Sequence, residues 1–342
     1  MHLSGRYCAI LLALVTSVAY AASVENLYTA SVPVADDTEA EFKRGLVVAF
    51  QVVLVKLTGN SASAERQGVR ALAARAQQYN TAFGYERDPL GGLRLRADFD
   101  VPAASAALRQ RGFKVWGKER PELTAILVVI DTGGVTAIAD EVHQTIFDAL
   151  PAQAAIRAIP LRRALPDSAT MNSLAEQVSD DDMIVDLQTV GAGDPVSARL
   201  VGLLRQAVDG TWRARWHLSL EDAPLEWTTS GDLPTTLVTA GVDRAADEIF
   251  QHFVNAVEAS GESSVRLTVL GINTADDYGR VLNYLGSLDA VASLGVARVE
   301  GTQVVFALDT RGGLPILAQT ISFGHVLSPV ADDAAAYQLN SP

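Results

Sequence analysis

The chain has 342 residues, 49% of them hydrophobic and 20% charged, with a formal net charge of −13. At about 100–200 residues per domain this is material for two or three domains, and so apolar a chain excludes general disorder. The negative field excludes nucleic acid and anionic membrane surfaces as preferred partners, since both would be repelled.

Residues 1–22 read as a secretory leader. Arg6 supplies a short basic start, Tyr7 to Val18 an apolar stretch, and Ala19-Tyr20-Ala21 an A-x-A cleavage site. The apolar stretch falls short of the ~20 residues of a membrane span, and the well-placed small-residue site favours cleavage over an uncleaved N-terminal anchor. Cys8, the single cysteine, lies inside that stretch and not at the cleavage point, so no lipid anchor is expected. The mature chain is therefore expected to be periplasmic, soluble and without a transmembrane segment. It has no disulfide, thiolate metal site or cysteine nucleophile, and is held together by packing.

Residues 23–118 read as a first α/β unit. Leu27 to Val34 suits an opening strand. Thr38 and Glu41 have capping-box spacing, and Phe42, Leu46, Ala49, Val53 and Leu57 follow at helical spacing, with Val48, Val52 and Val55 as a second stripe. Lys56, between the stripes, is expected to extend its amine to solvent. Gly59-Asn60 stops the helix. A helix over 62–77 precedes a hairpin turning at Asp88-Pro89-Leu90-Gly91-Gly92, whose second strand alternates cleanly from Leu93 to Phe99. Asp100 caps a further helix that ends at Gly112, and Phe113 to Trp116 returns as a short strand. The charged stretch from Gly117 to Glu122, with Pro121, marks a boundary.

Residues 119–258 form a second unit, organised around Leu123 to Asp131, a short run apolar on both faces. Such a run reads as a buried strand of an α/β layer. The Gly133-Gly134 turn leads to a helix over 136–150 with Ile138, Val142, Ile146 and Leu150 inward, ended by Pro151. Ile156 to Leu161 and Met183 to Val190 read as strands, separated by a short helix with Met171, Leu174 and Val178. Val196, Ala198, Leu200, Gly202 and Leu204 alternate up to a turn at Asp209-Gly210, and Trp212, Ala214, Trp216, Leu218 and Leu220 alternate back, the mark of a hairpin. Trp227 lies in a further strand, and Pro234 opens a long helix.

Residues 259–330 form a third unit after a polar linker at Ser260 to Ser264. Its order, βαββαβ, is ferredoxin-like: Val265–Ile272, a helix opened by Thr274 and Asp277, strands near 289–299 and 302–308 joined at Glu300-Gly301, a helix with Leu314, Leu317 and Ile321, and a last strand from Ser322 to Leu327. Residues 331–342 are expected to be a flexible tail. The fold class is thus mixed α/β: several small α/β sandwich domains with mixed sheets, the last ferredoxin-like.

Leu54-Val55-Lys56-Leu57-Thr58-Gly59-Asn60, Phe99-Asp100, Val115-Trp116-Gly117 and Arg120-Pro121 resemble the proteobacterial exported family known as domain of unknown function 2066, over nearly the whole mature chain. That resemblance implies no transferable activity and no catalytic residues. The second unit is also similar, in element order and in its Gly210 to Trp216 hairpin, to periplasmic α/β domains of the Tol translocation protein and of a flagellar ring assembly factor, which implies envelope or assembly roles by analogy.

Asp131-Thr132-Gly133 has the tripeptide of an aspartic protease strand, but Gly134 follows and no second copy exists to share a proton, so a turn-capping Asp is the expectation. Strand ends in α/β sheets face crevices, so Asp131 and Thr132 are candidates for a cleft, and Trp116, beside a boundary, for an inter-domain anchor. The sequence holds no G-x-S-x-G, H-E-x-x-H or phosphate-binding glycine motif, and His143, His217, His252 and His325 lack local metal spacing. No catalytic, metal or cofactor residue is assigned. The expectation is a non-enzymatic binding or scaffold protein of the Gram-negative cell envelope that contacts envelope proteins. The alternative is a hydrolase or small-ligand protein with its site between the first two units near Asp131.

Overall fold

The computed structural model describes residues 27–176, 188, 190, 198–220, 223–331 and 333–341. The expected leader, most of the expected strand from Met183 to Val190, and Val178 of the expected short helix lie outside the described residues.

The first layer is a three-stranded antiparallel sheet under a helix. Strand β1 (Thr29–Pro33) is followed by α1 (Glu39–Thr58). Thr38 caps α1 by accepting from the Glu41 N–H, whereas the Glu41 carboxylate turns back to the Ala35 N–H at 2.7 Å, so half of the capping box forms. Lys56 does not reach solvent. It is buried, and its Nζ donates to the Thr29 carbonyl at 2.8 Å, because α1 is covered by β1 on that side. Burial, and then the nearby Arg120 cation, pull its pKa down to about 8.

Past Gly59 the expected single helix is broken into a 3-10 turn (Ser61–Glu65), α2 (Gln67–Ala73) and α3 (Ala76–Tyr79). Asn60 and the Thr58–Ser63 hydroxyl pair fold the chain back on α1, and Arg66 takes extended backbone. Strands β2 (Asn80–Arg87) and β3 (Leu93–Phe99) form the expected hairpin, with sheet order β1-β3-β2. Asp100 then caps α4 (Val101–Arg109). Phe113 to Trp116 is not a strand. The Trp116 N–H is bonded to the Leu57 carbonyl at the end of α1, which lies outside any sheet.

In the second layer β4 (Leu123–Asp131) is covered on both faces. It is not followed by a helix: β5 (Gly134–Thr136) pairs back on it antiparallel, and α5 (Gln144–Arg157) begins only afterwards. Ile138 and Val142 are consequently exposed. Pro151 sits inside α5, where packing on the long helix described next outweighs the missing N–H. The expected strand from Ile156 is the end of α5, and the strand β6 (Leu161–Arg163) starts later. Helix α6 (Ser168–Glu176) precedes the meander β7 (Ala198–Gln206), β8 (Trp212–Leu220) and β9 (Ala223–Gly231), and α7 (Pro234–Ser260) closes the layer. The sheet runs β5-β4-β7-β8-β9, with β6 also paired to β4, and is parallel at β6, β4 and β7.

No separate linker intervenes before the third layer. Gly261 caps α7 and strand β10 (Glu262–Leu270) begins at the next residue, so the last turns of α7 contribute Phe253, Ala256 and Val257 to the third core. Thr274 and Asp277 form both halves of a capping box on α8 (Ala275–Ser287). Strands β11 (Val291–Glu300) and β12 (Gln303–Arg311), helix α9 (Gly313–Ser322) and strand β13 (Leu327–Val330) complete the expected order. The expected flexible tail is instead β14 (Asp333–Leu339), inserted between β10 and β13 and parallel to β10, with Ala336, Tyr337 and Leu339 buried. The molecule is mixed α/β throughout, in small layers with mixed or antiparallel sheets.

Candidate functional site

Asp131 ends β4 and makes the turn into β5 by accepting from the Gly133 N–H at 2.8 Å. Its other oxygen meets His143 Nε2 at 2.9 Å, and His143 Nδ1 meets Asp140 at 2.8 Å. His143 is thus clamped between two carboxylates just before α5, and ties the β4–β5 hairpin to that helix. Burial pushes the imidazole pKa down, but the hydrogen bonds to Asp131 and Asp140 outweigh it and hold it above its ordinary value. Burial likewise raises Asp131, and the bonds from His143 and the Gly133 amide bring it below the usual carboxylate range. Asp140 is lowered first by the His143 backbone N–H. Thr132 is exposed at the turn and does not join this cluster. Sequence reasoning missed His143 because the expected helix placed it on a surface face, twelve residues from Asp131.

Trp116 lies elsewhere. It is 1% exposed, with ring centroids 5.7 Å from Phe250 and 6.4 Å from Phe253 on α7. The Arg120 guanidinium stacks 4.4 Å over its ring. All five Arg120 N–H groups have a carbonyl to bond. Nε donates to Gly117 at 2.8 Å, Nη1 to Arg157 and Ala158 at 3.1 Å each, and Nη2 to Lys56 at 2.7 Å and Trp116 at 3.0 Å. Burial brings its pKa down to about 9, which still leaves a cation at neutral pH. Beside it Arg157, 3% exposed, donates to Gly59 of the first unit at 2.8 Å and to Asp243 and Asp247 of α7 at 3.0 and 2.5 Å. Asp247 also accepts from the Ser61 N–H and hydroxyl at 2.8 and 2.7 Å. Around Arg120 the junction of the first two units is closed by two buried arginines and a tryptophan, with Arg157 Nε and Trp116 Nε1 left without a hydrogen-bond partner among the described residues. Asp131 stands at the far end of β4, about 26 Å from Leu123 along an extended strand.

A second histidine carries a relay-like chain. His217 is 1% exposed, its Nε2 is 2.9 Å from the Ser219 hydroxyl and its Nδ1 3.1 Å from Glu226. The order Ser–His–Glu matches a nucleophile, base and orienting acid. Ser219, however, is paired on both sides within the sheet, to Arg199 and to Pro224, so its backbone is committed to the ladder and does not form an oxyanion cradle. The chain as built pins β8 to β9.

The cavities lie along the last turns of α7. One of about 360 Å³ is lined by Phe113, Val115, Val254 and Val257, and one of about 330 Å³ by Thr58, Asn60, Arg66 and Gln251. Neither takes a wall from Asp131, Thr132, His143 or His217. Among the described residues no group of three or more His, Cys, Asp or Glu is arranged to hold a metal ion.

A family model described as "Domain of unknown function (DUF8605)" matches residues 21–117. This overturns the resemblance to domain of unknown function 2066, and with it the proteobacterial exported family: the family model that residues 21–117 match is a different one. The residues that carried the resemblance are core, cap and junction groups, such as Leu54, Leu57, Gly59, Asp100 and Arg120, and such groups recur in unrelated folds. No curated protein matches the chain. Among solved structures, the chain is similar to the N-terminal domain of Protein Y from Thermus thermophilus, with 9% identity, 38% of this chain and 94% of that one covered, and a TM-score of 0.19.

Proposed function

We propose that the protein is an exported, non-enzymatic binding protein that holds a protein partner by strand addition along β2. The observation that carries this reading is the state of that strand. It is an edge strand whose residues from Thr81 to Arg87 are all exposed, and it carries Phe83 at 56% and Tyr85 at 38% exposure. In register Phe83 lies opposite Ala97 and Tyr85 opposite Leu95, so both rings point to the face that α1 covers and extend it beyond the helix. Phe42 of α1 packs on Phe83 with centroids 4.6 Å apart, and Tyr85 meets Phe83 edge-on at 6.4 Å. Edge strands are ordinarily blunted by charge, proline or cover. A long edge with an aromatic shelf offers backbone groups for affinity and side-chain contacts for selectivity.

Two further features support the reading. The two histidine clusters described above, Asp131–His143–Asp140 and Ser219–His217–Glu226, line neither of the cavities beside α7. No helix among the described residues is long and apolar enough to cross a membrane. Placement in the periplasm rests on the leader pattern of residues 1–22 alone, now that the proteobacterial resemblance is gone. The rival reading, a hydrolase or small-ligand site between the first two units near Asp131, draws no support from the geometry at Asp131, which lies at the other end of β4 and lines neither cavity beside α7.

The test compares affinity capture from envelope extracts by the native protein, by the F83S/Y85S double variant, and by L90S, which alters the fully exposed hairpin tip. The reading predicts a protein retained by native and L90S protein and reduced at least tenfold by the double variant. Equal retention by all three, or by none, contradicts it.

A further inference from the structure

Against a net charge of −13, one of the two cavities beside α7 is lined by basic side chains and by no carboxylate. The cavities adjoin, sharing Phe113, Lys114 and Val254, and differ in character. The 360 Å³ chamber is floored by apolar side chains, Phe113, Val115, Phe253, Val254 and Val257. The 330 Å³ chamber is lined by hydroxyl and amide groups, Thr58, Asn60, Ser63 and Gln251, with Arg66 and Lys114 as its charges. Each volume falls in the ~300–1,000 Å³ range of small-molecule sites.

The cations are not equivalent. At the outer rim of the apolar chamber Arg109 is paired with Asp289, Arg311 donates to the Asp289 carbonyl at 2.7 Å, and Glu262 adds a second carboxylate, so that the cations Arg109 and Arg311 are balanced there. Arg66 is held differently: its guanidinium lies 4.3 Å from the Phe113 ring centroid, and no carboxylate among the described residues pairs with it. Lys114 meets Glu258 at 3.1 Å, in a pair more than half exposed on both sides, which is worth little and readily exchanged. One end of the cleft thus offers a guanidinium and an ammonium to an anion, and the other an apolar trough.

The geometry points to a binding site for a single-chain carboxylate amphiphile, a medium-chain fatty acid. Its carboxylate sits between Arg66 and Lys114, and its alkyl chain passes Phe113 and lies along Val254 and Val257. This site is independent of the β2 edge, which lies in the first unit's sheet. An extended carboxylate matches both halves of the cleft: the charged head gains charge-assisted hydrogen bonds, and each buried methylene leaves water.

Calorimetric titration of the full chain with decanoate, decanol and decyl phosphate, below their aggregation concentrations, tests this. Decanoate is expected to bind one per chain, at least tenfold tighter than decanol and tighter than decyl phosphate. R66Q/K114Q, both surface changes, should weaken decanoate at least tenfold and leave decanol unchanged. V254W should block decanoate and decanol alike, with V257F as the milder filling variant if far-ultraviolet dichroism shows V254W to be misfolded. The site is overturned by absence of saturable decanoate binding, by binding that R66Q/K114Q leaves unchanged, or by a preference for decyl phosphate.

Discussion

His143 shows how single residues fix local structure here. Its two carboxylate partners favour the imidazolium, so its contribution to stability is fully present below the unfolded pKa of about 6.5 and is lost as pH rises through the raised folded value. Asp131 and Asp140, both held low, contribute above about pH 4, and that contribution is lost as pH falls through their folded values. The clamp is therefore strongest between those limits. H143A is expected to cost about 1–2 kcal/mol at pH 6 and about half as much at pH 9, read from urea unfolding at each pH. A cost that does not change with pH would contradict the paired-carboxylate account. Asp131 was visible in the sequence because it follows a buried strand and precedes two glycines. Its partner was not, since the β4–β5 hairpin between them is too short to leave a period-two signal. Lys56 was misread for a similar reason: nothing local announces that β1 will cover its face of α1.

At the scale of elements, the meander of β7, β8 and β9 is welded to α7 through Trp216. The indole lies between Gly202 of β7 and Gly241 of α7, and a Cβ on either glycine would be driven into its ring. It also stacks on Trp227 at 6.3 Å. G241A is expected to destabilise the protein by about 1–3 kcal/mol through overpacking, measured by thermal unfolding. An unchanged midpoint would show that the helix can shift without cost. These strands were legible because they alternate over nine residues each. The capping box on α8 was legible for the same reason, two residues in a fixed local pattern. By contrast, β14 reads as a small polar tail. Its place beside β10, some sixty residues away, is set by a sheet edge that sequence order does not display. The negative net charge gave no hint of the basic end of the cleft either, because Arg66, Lys114 and the last turns of α7 meet only in the fold.

For the whole molecule, the first two units behave as one piece because Arg120 and Arg157 spend their donors across the boundary. In sequence Gly117 to Glu122 looks like a charged linker, and no local pattern could show that the five Arg120 donors would find carbonyls of Lys56, Trp116, Gly117, Arg157 and Ala158. R120M leaves those carbonyls without their cation, and is expected to cost about 3–5 kcal/mol and to split one cooperative urea transition into two. A single transition with an unchanged midpoint would contradict the welded junction. A rigid body of this kind suits a protein that presents a fixed edge. Placing a photoreactive benzoylphenylalanine at position 83 on β2, and separately at position 96 on the opposite face of the same sheet, tests that most directly. Irradiation in cells is predicted to give one discrete protein adduct from position 83 and none from position 96, whereas no adduct at 83, or the same adducts from both, would contradict the account.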